Sequence, residues 1–476
     1  MISKKNTARF NKANNLFSKA IDLHNNLNFE EAKQLYLMVL QIFPNHPDTL
    51  HMLGVIDFQK SNYQSSINYI RTANILKTND PIILFNLGNA LRYSGNLKEA
   101  TKAYTDSLNI DPLNLETLEN LGNVYKEQNE FHEAINVYDR LLTSYPNHRQ
   151  TQYNKSLTLL TMGHFGESWV LYESRFYLEF FNASLKFNLT IAPKWDGSDS
   201  NLKKPLLVLQ EQGLGDQIFF GSMLHDLHNL DINCIVFIDK RLFPLFRRSF
   251  PNFNFVSTPN DILLLQKEIG FSYQIFLGSL GGILRRSEKD FFNLPSKFLH
   301  ANILQANILR NSIKKIDYIV CGISWISRNK EFKNIKSIDL DLLLPVLSTS
   351  NVQFINLQYG DVSSEINLVK NNHGINIHNF EDIDNYNDID GLASLIESCD
   401  LIITVSNTTA HLAASLGKPT LVLLAHHSPL WYWHTDKSKS PWYPSVSLLR
   451  QSKNGDWSPV IEKAATILRN LANNLL

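Results

Sequence analysis

Cysteine, net charge and long apolar runs are what this chain of 476 residues has least of. Its three cysteines, Cys234, Cys321 and Cys399, stand in apolar contexts without a Cys-x-x-Cys spacing. That argues against a disulfide framework or a zinc site and predicts buried, inert thiols in a reducing compartment. Lys plus Arg and Asp plus Glu are equal at 45 each, so no net field draws the chain to nucleic acid or to an anionic membrane surface. No apolar run approaches the ~20 residues a membrane span needs. The opening stretch MISKKNTARFNKANNLF has basic residues but no apolar core of a secretion signal. A soluble, cytoplasmic protein with no membrane span and no nucleic-acid partner is expected. Metal motifs are also missing: there is no HExxH and no Cys/His cluster. The DLD and DID matches at 339–341 and 388–390 read as helix openings rather than strand ends, so no metal is expected.

What the chain does have is a repeat. Ala20, Gly54, Gly88, Gly122 and Ser156 recur every 34 residues, as do Ala32, Ser66, Ala100, Ala134 and Ser168, and Tyr36, Ile70, Tyr104, Tyr138 and Tyr172. Small residues let two helices approach, the larger residue fills the gap beside them, and Pro44, Pro112 and Pro146 stop the second helix of three units. These are the marks of tetratricopeptide repeats, and about five helix-turn-helix units are expected over residues 10–178. Asn86, Asn120 and Asn154 sit two residues before the small position in three successive units, where Ser18 and Met52 stand in the first two. An Asn amide both donates and accepts, so a stacked row of them suits an extended polypeptide in the groove of a solenoid. The alternative is that Asn is simply common at this place in such repeats.

Past ESRFYLEF the helical period stops, and residues 179–203 read as a polar connector broken by Pro193 and Gly197. Beyond it, short apolar runs alternate with helical segments: PLLVLQ, INCIVFI, YQIFLG, YIVCGISW, VQFINLQ, LIITV and PTLVLLA. That alternation predicts parallel sheets covered on both faces, with ligands at the carboxyl ends of the strands. The expected fold class is therefore α + α/β.

Three loops hold candidate chemistry. In LQEQGLGDQIFFGS, Gly213 and Gly215 begin like a dinucleotide fingerprint, but Ile218 stands where its third glycine belongs. Asp216 falls in the first turn of the following helix, where it either caps that helix or acts as a base on a hydroxyl. In LIITVSNTTAHLAASLG, the polar residues Asn407, Thr408 and Thr409 open an Ala-rich helix free of acids, an anion site in prospect. His411 in its first turn either donates to a phosphate or is a core histidine. In GISWISRNKEFKNIKSIDL, Arg328, Lys330, Lys333 and Lys336 form either a solvated basic loop or a cluster that neutralises a diphosphate.

EQGLGDQIFFG, GISW, SIDLDLLLPVLSTSNVQFINLQYGD, SNTTAHLAASLGKPTLVLL and WYPSVSLLRQSKNGDW together resemble the tetratricopeptide-linked bacterial glycosyltransferases, whose catalytic part is similar to the heptosyltransferases of glycosyltransferase family 9. The resemblance implies a GT-B pair of Rossmann-like lobes, an acceptor lobe at 204–305 and a donor lobe at 306–476 with a terminal helix. It implies inverting, metal-independent transfer from a nucleotide-sugar co-substrate to an acceptor hydroxyl. Asp216 would be the base, with Gly213 and Gly215 shaping its loop. Lys336, Asn407, Thr408, Thr409 and His411 would hold the donor. Some relatives of this layout modify flagellin, which points to a protein acceptor held along Asn86, Asn120 and Asn154. A glycan or lipid-linked acceptor, or a non-catalytic repeat protein, are the alternatives. Two departures from the family stand out: the first lobe is short, and Lys336 replaces an Arg.

Overall fold

The computed structural model describes residues 4–184, 191–199, 201–313, 318–328, 333–427 and 430–474. Contact density divides the chain into two compact units, Met1–Thr158 and Leu159–Leu476.

The first unit is a helical solenoid. Its antiparallel pairs are α1 (Lys4–Asn25) with α2 (Phe29–Ile42), α3 (Pro47–Gln59) with α4 (Tyr63–Leu76), α5 (Pro81–Tyr93) with α6 (Leu97–Ile110), and α7 (Leu115–Glu127) with α8 (Phe131–Ser144). The small-residue period is explained by packing. A Cβ added at Gly88 or Gly122 would overlap the ring of Tyr104 or Tyr138, so each glycine makes room for the aromatic of its own pair. The next helix, α9 (Arg149–Thr161), runs through the division, and α10 (Phe165–Tyr172) belongs to the second unit.

The second unit carries two all-parallel sheets. Strands β1 (Leu206–Leu209), β2 (Cys234–Phe237), β3 (Asn254–Val256) and β4 (Tyr273–Phe276) form one, in the order β3-β2-β1-β4. Strands β5 (Ile319–Ser324), β6 (Val352–Asn356), β7 (Ile377–His378), β8 (Leu401–Val405), β9 (Thr420–Leu424) and β10 (Val446–Arg450) form the other, in the order β10-β9-β8-β5-β6-β7. β1, β5, β8 and β9 are buried at every position, because helices cover both faces. Each order reverses direction once, between β1 and β4 and between β5 and β8, the doubly wound arrangement in which ligands lie at the reversal.

The connector is more ordered than its polar composition suggests. Ile191 and Ala192 donate backbone N–H groups to the Gln274 side chain at 2.7 and 3.0 Å, and Trp195 N–H reaches Gln274 O at 2.9 Å. This stretch is therefore packed along β4, with the Trp195 indole buried. All three cysteines are buried, and burial raises each thiol. No described helix is long and apolar enough to cross a membrane.

Candidate active site

Two helix starts meet where the two sheets reverse. The helix Leu214–Gly221 follows β1, and the helix Thr408–Ser415 follows β8. A Cβ built on Gly215 would lie 3.4 Å from Thr408 Oγ1 and 3.5 Å from His411 Cδ2. Gly215 thus lies where the starts of the two helices come within van der Waals contact of each other.

Asp216 both caps its helix and faces this junction. Its Oδ2 accepts from the Gly213 N–H at 3.1 Å. Asp216 is half-buried, and the loss of water around its carboxyl pushes its pKa up to about 6, against the Gly213 N–H and the charge of Lys336. A carboxylate of that basicity is suited to general-base work near neutral pH.

Lys336 ends the short helix Lys333–Lys336 and is buried, with its charge acting on both Asp216 and His411. Arg328 is exposed and packs over Gly360. Lys330 and the Lys333 side chain lie outside the described residues.

The donor residues expected from sequence divide into two groups. Asn407 is a clamp, and every hydrogen-bonding position of its amide is engaged. Its Oδ1 accepts from Ala410 N–H and Thr404 Oγ1, each at 3.2 Å, and its Nδ2 donates to Ser324 Oγ at 2.8 Å and Ile326 O at 3.3 Å. It ties the ends of β5 and β8 to the helix start and so helps position the site. Thr409 is likewise turned inward, with its hydroxyl 3.5 Å from Leu357 O. Thr408 and His411 are the members brought to the junction. His411 is buried, stacked 5.1 Å from the Trp433 ring at an interplanar angle of 16°, with Nδ1 3.1 Å from Tyr443 Oη. Burial, with Lys336 adding to it, lowers its pKa to about 3. His411 therefore offers a neutral ring.

Sequence reasoning missed an aromatic wall. Phe219, one turn beyond Asp216, lies 4.7 Å from Tyr432 and 4.6 Å from Trp442. Trp433 Nε1 donates to Ser406 Oγ at 2.8 Å, fixing this wall beside the Asn407 loop. Its sequence signal is the aromatic density of WYWH and PWY at 431–443. Among the described residues no three His, Cys, Asp or Glu side chains gather as a metal site, and Asp388 of the DID match caps a helix through Gly391 N–H at 2.8 Å.

In the solenoid the three asparagines are used internally. Asn120 donates to Asn89 at 3.3 Å and accepts from Arg92 at 3.0 Å. Asn154 donates to Asn123 at 3.1 Å, and Asn86 pairs with His51 at 2.8 Å. Asn89 and Asn123 in turn accept from Tyr104 and Tyr138 at 2.6 and 2.9 Å. The amides expected to form a row along the groove thus link one repeat to the next, Asn120 and Asn154 each meeting an Asn 31 positions earlier and Asn86 meeting His51.

Residues 81–114 and 117–150 each match the tetratricopeptide-repeat family. Protein FlbA of Caulobacter vibrioides is 26% identical over 496 residues, covering 93% of this chain and 82% of that protein. The N-terminal acetyltransferase A complex auxiliary subunit NAA15 of Arabidopsis thaliana is 28% identical over 142 residues, 29% of this chain and 15% of its own length. Among solved structures, MamA is similar over 33% of this chain and 91% of its own, at 20% identity and a TM-score of 0.32. YrrB, described as a repeat protein with an unusual peptide-binding site, covers 33% of this chain and 82% of its own, at 15% identity and the same TM-score of 0.32. The amino-terminal part of the chain is a tetratricopeptide-repeat solenoid, followed by a region of parallel sheets and helices.

Proposed function

We propose that the second unit is a GT-B glycosyltransferase that moves a sugar from a nucleotide-activated donor to an acceptor hydroxyl with inversion. The observation that carries this reading is the meeting of Asp216, with its pKa near 6, and the start of the Thr408 helix beside buried Lys336, at the reversal points of two doubly wound sheets. Asp216 takes the proton as the acceptor oxygen bonds to the anomeric carbon. The bond from that carbon to the phosphate oxygen breaks, and the departing charge is met by Lys336 and the amide-rich start of the Thr408 helix. The aromatic wall beside His411 limits water access to the reacting centre.

For the acceptor, the repeats favour a polypeptide Ser or Thr. A glycan or lipid-linked acceptor is the second reading, favoured by the engagement of Asn86, Asn120 and Asn154 within the solenoid. The deciding experiment follows nucleotide release from a panel of nucleotide-sugars, with and without an added acceptor. Activity should appear with the wild-type chain and drop about 10²- to 10⁴-fold in Asp216→Asn. Undiminished transfer by the variant would exclude Asp216 as the base. No turnover with any donor, and no binding of one, would leave the chain as a repeat-based interaction protein.

A further inference from the structure

Arg175, in the 3-10 turn Glu173–Tyr177 after α10, has no exposed side-chain surface. Its Nε and Nη2 donate to the two carboxylate oxygens of Glu211 at 3.0 and 3.2 Å, and Nη2 also reaches Ser279 Oγ at 2.8 Å. Nη1 donates to Tyr172 O at 3.1 Å and to Glu173 at 2.8 Å. The guanidinium stands 4.3 and 4.1 Å from the ring centres of Tyr172 and Phe176. Glu211 is as deeply buried, and a Cβ at Gly278 would overlap its carboxylate, so the pocket is shaped around this one acid. Burial raises the pKa of Glu211, while Arg175 and the Gly278 N–H oppose it.

The next residue is held from the same segment. Gln212 has a φ of +59°, a left-handed conformation that a side-chain-bearing residue keeps only with support. Its Nε2 donates to Tyr172 Oη at 3.1 Å. Two consecutive residues are therefore fastened immediately before Gly213, whose N–H bonds Asp216.

From this juxtaposition we infer that Arg175 and Tyr172, acting through Glu211 and Gln212, are positioning residues that hold the Gly213 N–H on the Asp216 carboxylate. The inference rests on Asp216 being the base. Isolated buried ion pairs contribute little net stability against apolar replacements of the same volume, and a role in fixing one conformation fits this one. Other groups facing Asp216 are Lys336 from the helix Lys333–Lys336 and the Tyr432 and Tyr443 hydroxyls, and the neutral His411 ring lies beside the adjoining Gly215. The Gly213 N–H and Lys336 favour the ionised carboxylate and burial opposes it. Loosening the loop removes the first of these and makes Asp216 bind its proton more tightly.

The test uses the full chain labelled with carboxyl-¹³C aspartate, the Asp216 signal being identified by its loss in Asp216→Asn. Tyr172→Phe removes one hydroxyl. Gln212→Asn keeps a residue that tolerates the left-handed backbone but is too short for Tyr172. Glu211→Gln removes the negative charge that pairs with Arg175. Each variant should keep its circular dichroism spectrum while the Asp216 midpoint rises by about half to one pH unit, a three- to tenfold tighter proton. Folded variants whose Asp216 titrates as in the wild type would overturn the inference. Should Glu211→Gln not fold, the Tyr172 and Gln212 variants decide it. Sugar transfer surviving in Asp216→Asn removes the catalytic reading but leaves the titration result standing, so the two failures are distinguishable.

Discussion

Asp216 is held where its charge is costly, and that has opposite effects on stability and on chemistry. Its folded pKa of about 6 lies above the ordinary 3.8, so the folded state binds the proton more tightly than the unfolded chain. Its contribution to stability is complete below pH ~4 and is lost as pH rises through about 6. Asp216→Asn should therefore raise stability at pH 7.5 by about 1 kcal/mol, allowing for the half-burial of the residue, with the gain vanishing near pH 4. Denaturant melts at the two pH values measure this. On the proposed role of Asp216 as base, the transfer rate should fall below pH ~6, with no second limb from His411, whose ring is neutral above about pH 3. Asp216 and Thr408 were legible as candidates because polar residues between an apolar run and a helix stand out. The occupied amide of Asn407 and the inward hydroxyl of Thr409 were not, because a helix-opening sequence is the same whether its side chains point out or in.

At the scale of elements, the solenoid is set by a period that sequence displays directly. Gly122→Ala would drive a methyl group into the Tyr138 ring, and Tyr138 has no exposed surface into which to move. The expected cost is about 1–3 kcal/mol, read as an earlier loss of helical circular dichroism. Tyr138→Phe, which removes the hydroxyl that donates to Asn123, should cost about 1 kcal/mol. The central strands β1, β5, β8 and β9 were equally legible, being continuous apolar runs. β3, β7 and β10 were not read as strands: they are sheet edges, and β3 and β7 are only three and two residues long, too short to show a period.

For the whole molecule, the division at Thr158 and Leu159 predicts two thermal transitions. A nucleotide-sugar at about 100 times its dissociation constant should raise one of them by roughly 2.7 kcal/mol and leave the other unmoved. Differential scanning calorimetry would show this, and a shift of both or neither would count against a donor site confined to the second unit. If the solenoid presents a polypeptide acceptor, a chain of residues 159–476 should retain that donor response and lose transfer to protein. What the sequence determined by itself was local: the 34-residue pairing of helices, the buried central strands, the acid after two glycines. These follow from neighbours along the chain, through steric fit and apolar period. Tertiary structure alone decided that Gly215 meets Thr408, that Arg175 finds Glu211, and that His411 is stacked and uncharged. The first two pairs are 193 and 36 residues apart in the chain and the third depends on burial, and distance and dehydration exist only once the sheets have closed around them.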